Sequence, residues 1–193
     1  MGDDRKTETL DAFWTSLSSE QRDGIAAVAL DMWPPYINST WAHLPGADEK
    51  IVFDKFHIAE HLNKAVDEVR KVEHRELLAE GKDWLTGTKY PWLRNPRNLS
   101  LSKWKTFLAL VRSHSFRTSR AWAIARTLML LFDYTYFGVP KKRFREWFGW
   151  ARRSRLEPIK KVAKMIHSHW SNIQTYFKHR ITNAGSESIN STR

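Results

Sequence analysis

The chain has 193 residues, 41% of them hydrophobic, with 10 Trp, 10 Phe, no cysteine and a formal net charge of +11. That length and apolar content support one domain with a real core and exclude a disordered chain, while the lack of thiols excludes disulfide scaffolds and thiolate metal sites and points to an intracellular protein. The polar start MGDDRKTETL is no export signal, and the longest apolar run, LMLLF, falls far short of the roughly 20 residues a membrane span needs, so a soluble, cytoplasmic protein without membrane partners is expected.

In chain order, KTETLDAFWTSL predicts a short amphipathic helix over about 8–17, with Thr7 as N-cap and Leu10, Phe13, Trp14 and Leu17 at helical spacing. GIAAVALD is a continuous apolar run between Gly24 and the Pro34–Pro35 pair, the pattern of a strand over 25–31 buried on both faces. The two prolines suit the first turn of a helix through YINSTWAHL, ending near Pro45 and Gly46. KIVFD then repeats the strand signature over 51–54. Helix, buried strand, helix, buried strand is the rhythm of a parallel sheet with crossover helices.

After Asp54 the character changes. HIAEHLNKAVDEVRKVEHRELLAEG predicts a long helix with Ile58, Leu62, Ala65, Val69, Val72 and Leu77 on one stripe, stopped by Gly81. TGTKYPWLRNPRNLS reads as a loop. Helices follow at about 101–112, 117–134, 140–153 and 157–179, the last with Ile159, Val162, Met165, Ile166, Trp170, Ile173 and Phe177 on its apolar face. The fold class is therefore α/β and mostly helical: a small α/β part followed by a larger all-helical one.

The charge is unevenly placed, with residues 1–100 summing to −4 and residues 101–193 to +15. Clustered Lys and Arg favour a polyanion, with DNA the leading candidate because phosphate contacts release condensed counterions. The cations expected to make those contacts are Lys141, Lys142, Arg143, Arg145, Arg152, Arg153 and Arg155, within KKRFREWFGWARRSR, and then Lys160, Lys161 and Lys164. The interleaved aromatics read as core-facing helix residues rather than base-stacking platforms. A basic surface that serves only solubility is the bland alternative.

In a parallel sheet, functional side chains collect at the carboxyl ends of the strands. Asp31 and Asp54 occupy those ends, and neighbouring strands would bring them to one edge, where two carboxylates favour a hard divalent cation such as magnesium or manganese. An Asp after a strand also commonly caps the next helix, and either residue alone carries that reading. His57 is a further candidate beside such a site. HIAEH lacks the Glu position of a zinc-binding HExxH motif, and no nucleophile elbow surrounds any serine.

These residues carry a resemblance. AVALDMWPPYI, IVFDKFHIAEHLNKAVDEVR, EHRELLAEGKDWLTGTKYPWLRNPRNLS and HRITNAGSESINS, in unbroken order, resemble the DDE transposases of bacterial insertion sequences, specifically the ISL-three family. The resemblance implies a partial ribonuclease-H-like fold that retains two parallel strands and their crossover helices, with a large helical insertion before the last acid. It implies a core over 1–56, a basic helical insertion over 57–179 and the start of a closing helix over 180–193. It implies two magnesium or manganese ions in the complete site, with Asp31 matching the second acid and Glu187 the third, both as metal ligands. Arg180, Asp54 and His57 become auxiliaries. The activity implied is metal-dependent DNA strand cleavage and transfer at transposon ends and target DNA, in a homo-oligomer or a mixed assembly with full-length transposase, associated with the nucleoid when on DNA.

The family's first acid lies on a strand ahead of the first helix here, and Asp3, Asp4 and Asp11 do not substitute for it. The family's N-terminal DNA-binding region and final helix have no counterpart either. The expectation is a transposase fragment truncated at both ends, inactive by itself, marginally stable and exposing an unpaired edge on its first strand. A non-catalytic basic DNA-binding module and a plain helical interaction protein stay open as alternatives.

Overall fold

The computed structural model describes residues 3–134 and 138–181, and the chain divides into two compact units, residues 1–58 with 168–193 and residues 59–167. Glu187 lies outside the described residues. The chain runs through helices α1 (Asp3–Ser16) and α2 (Ser19–Gly24), strand β1 (Val28–Leu30), helices α3 (Pro34–His43) and α4 (Ala47–Lys50), strand β2 (Ile51–Phe53) and helix α5 (Lys55–Ala79). Helices α6 (Lys89–Leu93), α7 (Leu101–Ser113), α8 (Arg117–Leu131), α9 (Gly138–Arg153), α10 (Glu157–Ser168) and α11 (Trp170–His179) follow, with a 3-10 turn at Pro96–Asn98.

The first unit is organised by its sheet. β1 and β2 pair in parallel, Val28 with Ile51, Ala29 with Val52 and Leu30 with Phe53. β2 is the buried centre: Ile51, Val52 and Phe53 expose no surface, whereas Val28 and Ala29 are half-buried. Two short strands make a weak sheet by themselves, so packing helices must supply the rest. Helix α11 does so for β2: the Thr175 hydroxyl donates to the Ile51 carbonyl, and the Asn172 amide donates to the Asp48 carbonyl at 3.3 Å. Helix α1 is tied to α3 by Ser39, whose hydroxyl donates to the Asp11 carboxylate at 2.5 Å, with His43 also 3.7 Å from Asp11.

Local chemistry sets the boundaries. Pro34 and Pro35 open α3, where a missing N–H costs nothing. Ser18 and Gln21 form a reciprocal capping box at α2, the Gln21 amide donating to the Ser18 hydroxyl at 3.2 Å and the Ser18 amide to the Gln21 side chain at 2.8 Å. Asp54 begins α5: its carboxylate accepts from the Phe56 backbone N–H at 2.8 Å while its own N–H donates to the Leu30 carbonyl of β1 at 3.3 Å.

The second unit is all helix. On α5, Leu62, Ala65, Val66 and Val69 are buried, and the stripe continues into the buried carboxylate of Glu73. Glu73 accepts from the Arg117 and Thr118 backbone N–H groups, each at 2.7 Å, and from the Thr118 hydroxyl at 2.6 Å. It thereby caps α8, whose own N-cap residue, Phe116, has no side-chain acceptor. Asp67, also buried, meets Arg70 at 2.8 Å and Lys71 at 3.0 Å. Trp147 of α9 is buried and donates its indole N–H to the Ile124 carbonyl of α8 at 2.8 Å. Trp92, Phe107 and Trp122 pack edge-to-face, with centroids 4.9 and 5.2 Å apart along the chain of rings. No described helix is long and apolar enough to cross a membrane.

Several expected boundaries move. The first helix starts at Asp3, so Thr7 lies within it and is not a cap, and of its proposed stripe only Trp14 is buried, while Phe13 is exposed. The strand expected over 25–31 shrinks to Val28–Leu30, the three residues that pair with β2, and Ile25 serves instead as the C-cap of α2. Val72 of the α5 stripe faces outward, its place taken by Val66 and Glu73. The loop after Thr86 contains α6 and a 3-10 turn. The helix expected over 157–179 breaks at His169, whose ring meets Phe53 edge-on at 5.1 Å as α11 turns onto β2. The apolar spacing runs through this break without a signal, and contacts with the strand redirect the chain.

Two stability predictions follow from these contacts. Asp54→Ala lowers thermal stability by about 1–2 kcal/mol through loss of the α5 cap, whereas Asp54→Asn, which caps as well, retains most of it, as read by circular dichroism melts. Burial pushes the Asp67 carboxyl up, but hydrogen bonds and charge from Lys71 and Arg70 outweigh that and hold it below its ordinary value. A depressed folded-state value means the stabilisation is present above the ordinary carboxylate value and is lost as pH falls through the depressed one. Chemical denaturation across pH should therefore show Asp67→Asn less stable than the parent at neutral pH, with the gap closing in acid.

Candidate active site at the carboxyl edge of the sheet

Parallel pairing in register places residues 31 and 54, each one step beyond the last ladder pair of Leu30 with Phe53, at the same edge of the sheet. The two carboxylates nevertheless meet different surroundings. Asp54 is 1% exposed and spends one oxygen on the α5 N-terminus. The Asp31 side chain is 40% exposed and lines a cavity of about 480 Å³. That cavity is bounded by Thr9, Leu10 and Phe13 of α1, Ala29 and Leu30 of β1, Tyr36 of α3 and His57 of α5. Because α5 starts directly after β2, its first turn carries His57 back beside the end of β1, and His57 Nδ1 stands 3.8 Å from Asp31 Oδ1. At that separation the pair is a Coulombic contact when the imidazole is protonated, and too long for a hydrogen bond.

The arrangement suits Asp31 as one hard oxygen ligand for a divalent cation. Such a cation needs several oxygens, and among the described residues no group of three or more His, Cys, Asp or Glu stands together to hold a metal ion. The described residues thus supply one ligand of the right donor type and not a complete set. Glu187, the expected partner of Asp31, falls outside them.

Arg180 closes α11 in the left-handed region, with φ of 56°, and its guanidinium lies 5.4 Å from the Phe177 ring centroid and 5.6 Å from that of Tyr176. These ring faces orient a cation that is otherwise exposed. At the carboxyl end of β2, burial pushes the His169 imidazole below its ordinary value, which favours its neutral form against Phe53.

The expected DNA-contacting cations all belong to the second unit. Lys141, Lys142, Arg143, Arg145, Arg152 and Arg153 lie on α9, Arg155 in the turn after it with φ of 61°, and Lys160, Lys161 and Lys164 on α10. All are exposed except Lys160, which is half-buried. On α9 the division is by helical period: Lys141, Arg145 and Arg152 recur on one face, and Phe144, Trp147 and Ala151 are buried on the other. Two of the cations are paired, Arg143 with Glu146 at 3.2 Å and Lys160 with Glu157 at 2.5 Å. The Lys160 hydrogen bond holds the Glu157 carboxyl below its ordinary value.

The contribution of α1 and of Tyr36 to the cavity wall was missed by reasoning from sequence. Motif spacing carries no signal for it, since a wall made of residues 9, 10, 13 and 36 exists only once α1 packs against α3.

The chain matches, over residues 1–192, the sequence pattern of the DDE-type ISL3 family, described as Transposase. It is also similar to the transposase for insertion sequence element IS1001 from Bordetella parapertussis, with 24% identity across 100% of this chain and 47% of that protein. The chain thus spans about half the length of the curated relative it matches. No solved structure matches it significantly. With the family pattern covering the described acidic edge, both units and all but the last residue, the chain belongs to the ISL3 family of DDE transposases.

Proposed function

We propose that this chain forms part of the catalytic domain of an insertion-sequence transposase that cuts and joins DNA strands with a divalent metal, magnesium or manganese. The observation that carries the reading is Asp31: a carboxylate at the carboxyl end of a buried parallel ladder, open to a cavity and beside His57, in a chain of transposase family. The α/β unit is read as a partial ribonuclease-H-like core and residues 59–167 as the helical insertion, with the protein cytoplasmic and on DNA when at work. Asp31 and Glu187 would hold the metal, whose chemistry when bound is to polarise the phosphodiester and activate the attacking hydroxyl.

The chain's own residues do the rest. Asp31 presents its carboxylate from a rigid strand end, and Asp54 holds that end in place by bridging β1 to the start of α5. His57 offers a nitrogen that can take or return a proton at the cavity mouth. The α9 and α10 cations grip phosphates, which fixes DNA register without reading sequence. With Asp31 and Glu187 as the acids matched in this segment, our reading is that the 193-residue polypeptide by itself binds DNA without cutting it. A second reading, a DNA-binding module with no chemistry, is favoured by the exposed basic face alone.

Two experiments separate these. The affinity of the chain for a short DNA duplex should fall steeply with salt, and Gln at Lys141, Arg145 and Arg152 together should reduce the log–log slope by about 2–3, since each lost phosphate contact is worth about 0.9. In a longer transposase containing this segment, Asp31→Asn should abolish nicking of transposon-end DNA with magnesium or manganese while leaving DNA affinity within about twofold. Nicking that survives the substitution would remove Asp31 from the site, and strong Asp31-dependent nicking by this 193-residue chain alone would overturn its expected inactivity.

A further inference from the structure

Between Asp83 and Asp133 the chain contains no acidic residue, although it carries nine Lys and Arg there. This stretch supplies a groove of about 510 Å³ in the second unit, separate in residues from the basic face of α9 and α10. Its volume lies within the roughly 300–1,000 Å³ of small-ligand sites. Pro91, Leu99, Phe107 and Leu110 give it a largely apolar lining, to which Thr86, Thr88, Ser102 and Thr106 add hydroxyls and Arg94 and Lys103 add charge. Tyr90 stands at the edge with 64% of its surface exposed, the most exposed aromatic ring of the described residues. The Lys89 ammonium lies 5.8 Å from its ring centroid and the Arg94 guanidinium 5.7 Å.

An exposed aromatic costs hydration, and no packing against the fold explains Tyr90. Its neighbours explain it better. Lys89, Arg94 and Lys103 make no ion pair with a carboxylate among the described residues, so no protein carboxylate neutralises their charge beside Tyr90. A planar π-face, an apolar slot and unneutralised cations at the rim are the three things that an unpaired nucleotide needs: stacking for the base, burial for its faces and a counter-charge for the flanking phosphates. A duplex satisfies only the last, because its bases are already stacked inside. A peptide partner would have to bring both acidic side chains for these cations and an aromatic or guanidinium group for the ring, whereas a nucleotide carries its phosphate and its planar base in every unit.

We propose that this groove is a single-strand DNA site that takes one unpaired base, stacked on Tyr90 over the Phe107 and Leu110 floor, with Arg94 and Lys103 on the adjoining phosphates. The proposal rests on the reading of the chain as a DNA-binding transposase segment and adds a second site to it, with a preference for unpaired strands.

The test is fluorescence anisotropy of the full chain with a labelled short oligothymidine and, in parallel, a labelled duplex. Variants are Tyr90→Ala, Tyr90→Phe and Arg94→Gln, with Lys141→Gln together with Arg145→Gln as the contrast. Stacking of one base is worth about 1–3 kcal/mol, so Tyr90→Ala should weaken oligothymidine binding about fivefold to a hundredfold with duplex affinity unchanged. Tyr90→Phe, which keeps the ring, should retain most of the affinity. Arg94→Gln should lower the salt slope for the single strand by about 0.7. The contrast pair should weaken the duplex more than the oligothymidine. Because Tyr90 is exposed, its variants should melt with the parent, which keeps the comparison free of unfolding. Equal affinities of parent and Tyr90→Ala for oligothymidine would overturn the proposal, as would parallel losses on both DNAs. A change in light-scattering mass in place of a DNA effect would also overturn it and make the groove a contact between copies. If neither DNA binds at low salt, the DNA-binding reading itself fails, which the duplex arm reports separately.

Discussion

Three residue pairs across a parallel ladder, Val28 with Ile51, Ala29 with Val52 and Leu30 with Phe53, determine what the first unit can do. So short a ladder holds because β2 is wholly buried and because α11, arriving from more than a hundred residues along the chain, supplies donors to backbone carbonyls at Asp48 and Ile51. Remove that helix and the apolar side chains of β2 would be exposed to water, which would also replace the donors that α11 supplies. Everything at the carboxyl edge inherits its geometry from this arrangement: Asp31 beside residue 54, the first turn of α5 over the end of β1, and His57 next to Asp31.

The same arrangement gives two chemically identical side chains different work. Asp54 is enclosed and caps a helix, so its carboxylate stabilises the partially positive N-terminus of α5. Asp31 stays half in water beside a cavity, where a carboxylate is free to take an external cation. Burial, more than position in the motif, divides the structural acid from the candidate ligand. Glu73 is a third variation: a buried carboxylate from α5 that completes the N-terminus of α8 in place of a local cap.

In the second unit, charge and apolar surface are sorted by helical period. On α9 the cations occupy one face because Phe144, Trp147 and Ala151 claim the other, and Trp147 reaches the Ile124 carbonyl, which fixes the helix rotation. The orientation of the basic face is thus a by-product of core packing, and a protein with the same net charge but a different core would present a different surface. Tyr90 and its cations make the complementary case, an aromatic that packing leaves outside.

Composition and pattern alone established the parallel pair of strands, the long α5 and the helical character of the basic half, because apolar runs and helical periodicity are local properties of a chain; the family was legible only as a resemblance of whole motifs. They also held the capping box of α2 in Ser18 and Gln21, a signal present in the sequence. Other features were beyond any local reading. The break at His169 interrupts no periodicity, since contact with Phe53 and β2 makes the turn. The burial that separates Asp54 from Asp31, the cavity wall donated by α1, and the capping of α8 by Glu73 across 44 residues all arise from segments meeting in space. Tertiary structure decided these because hydrogen bonds and desolvation act between neighbours in three dimensions, whatever their separation along the chain.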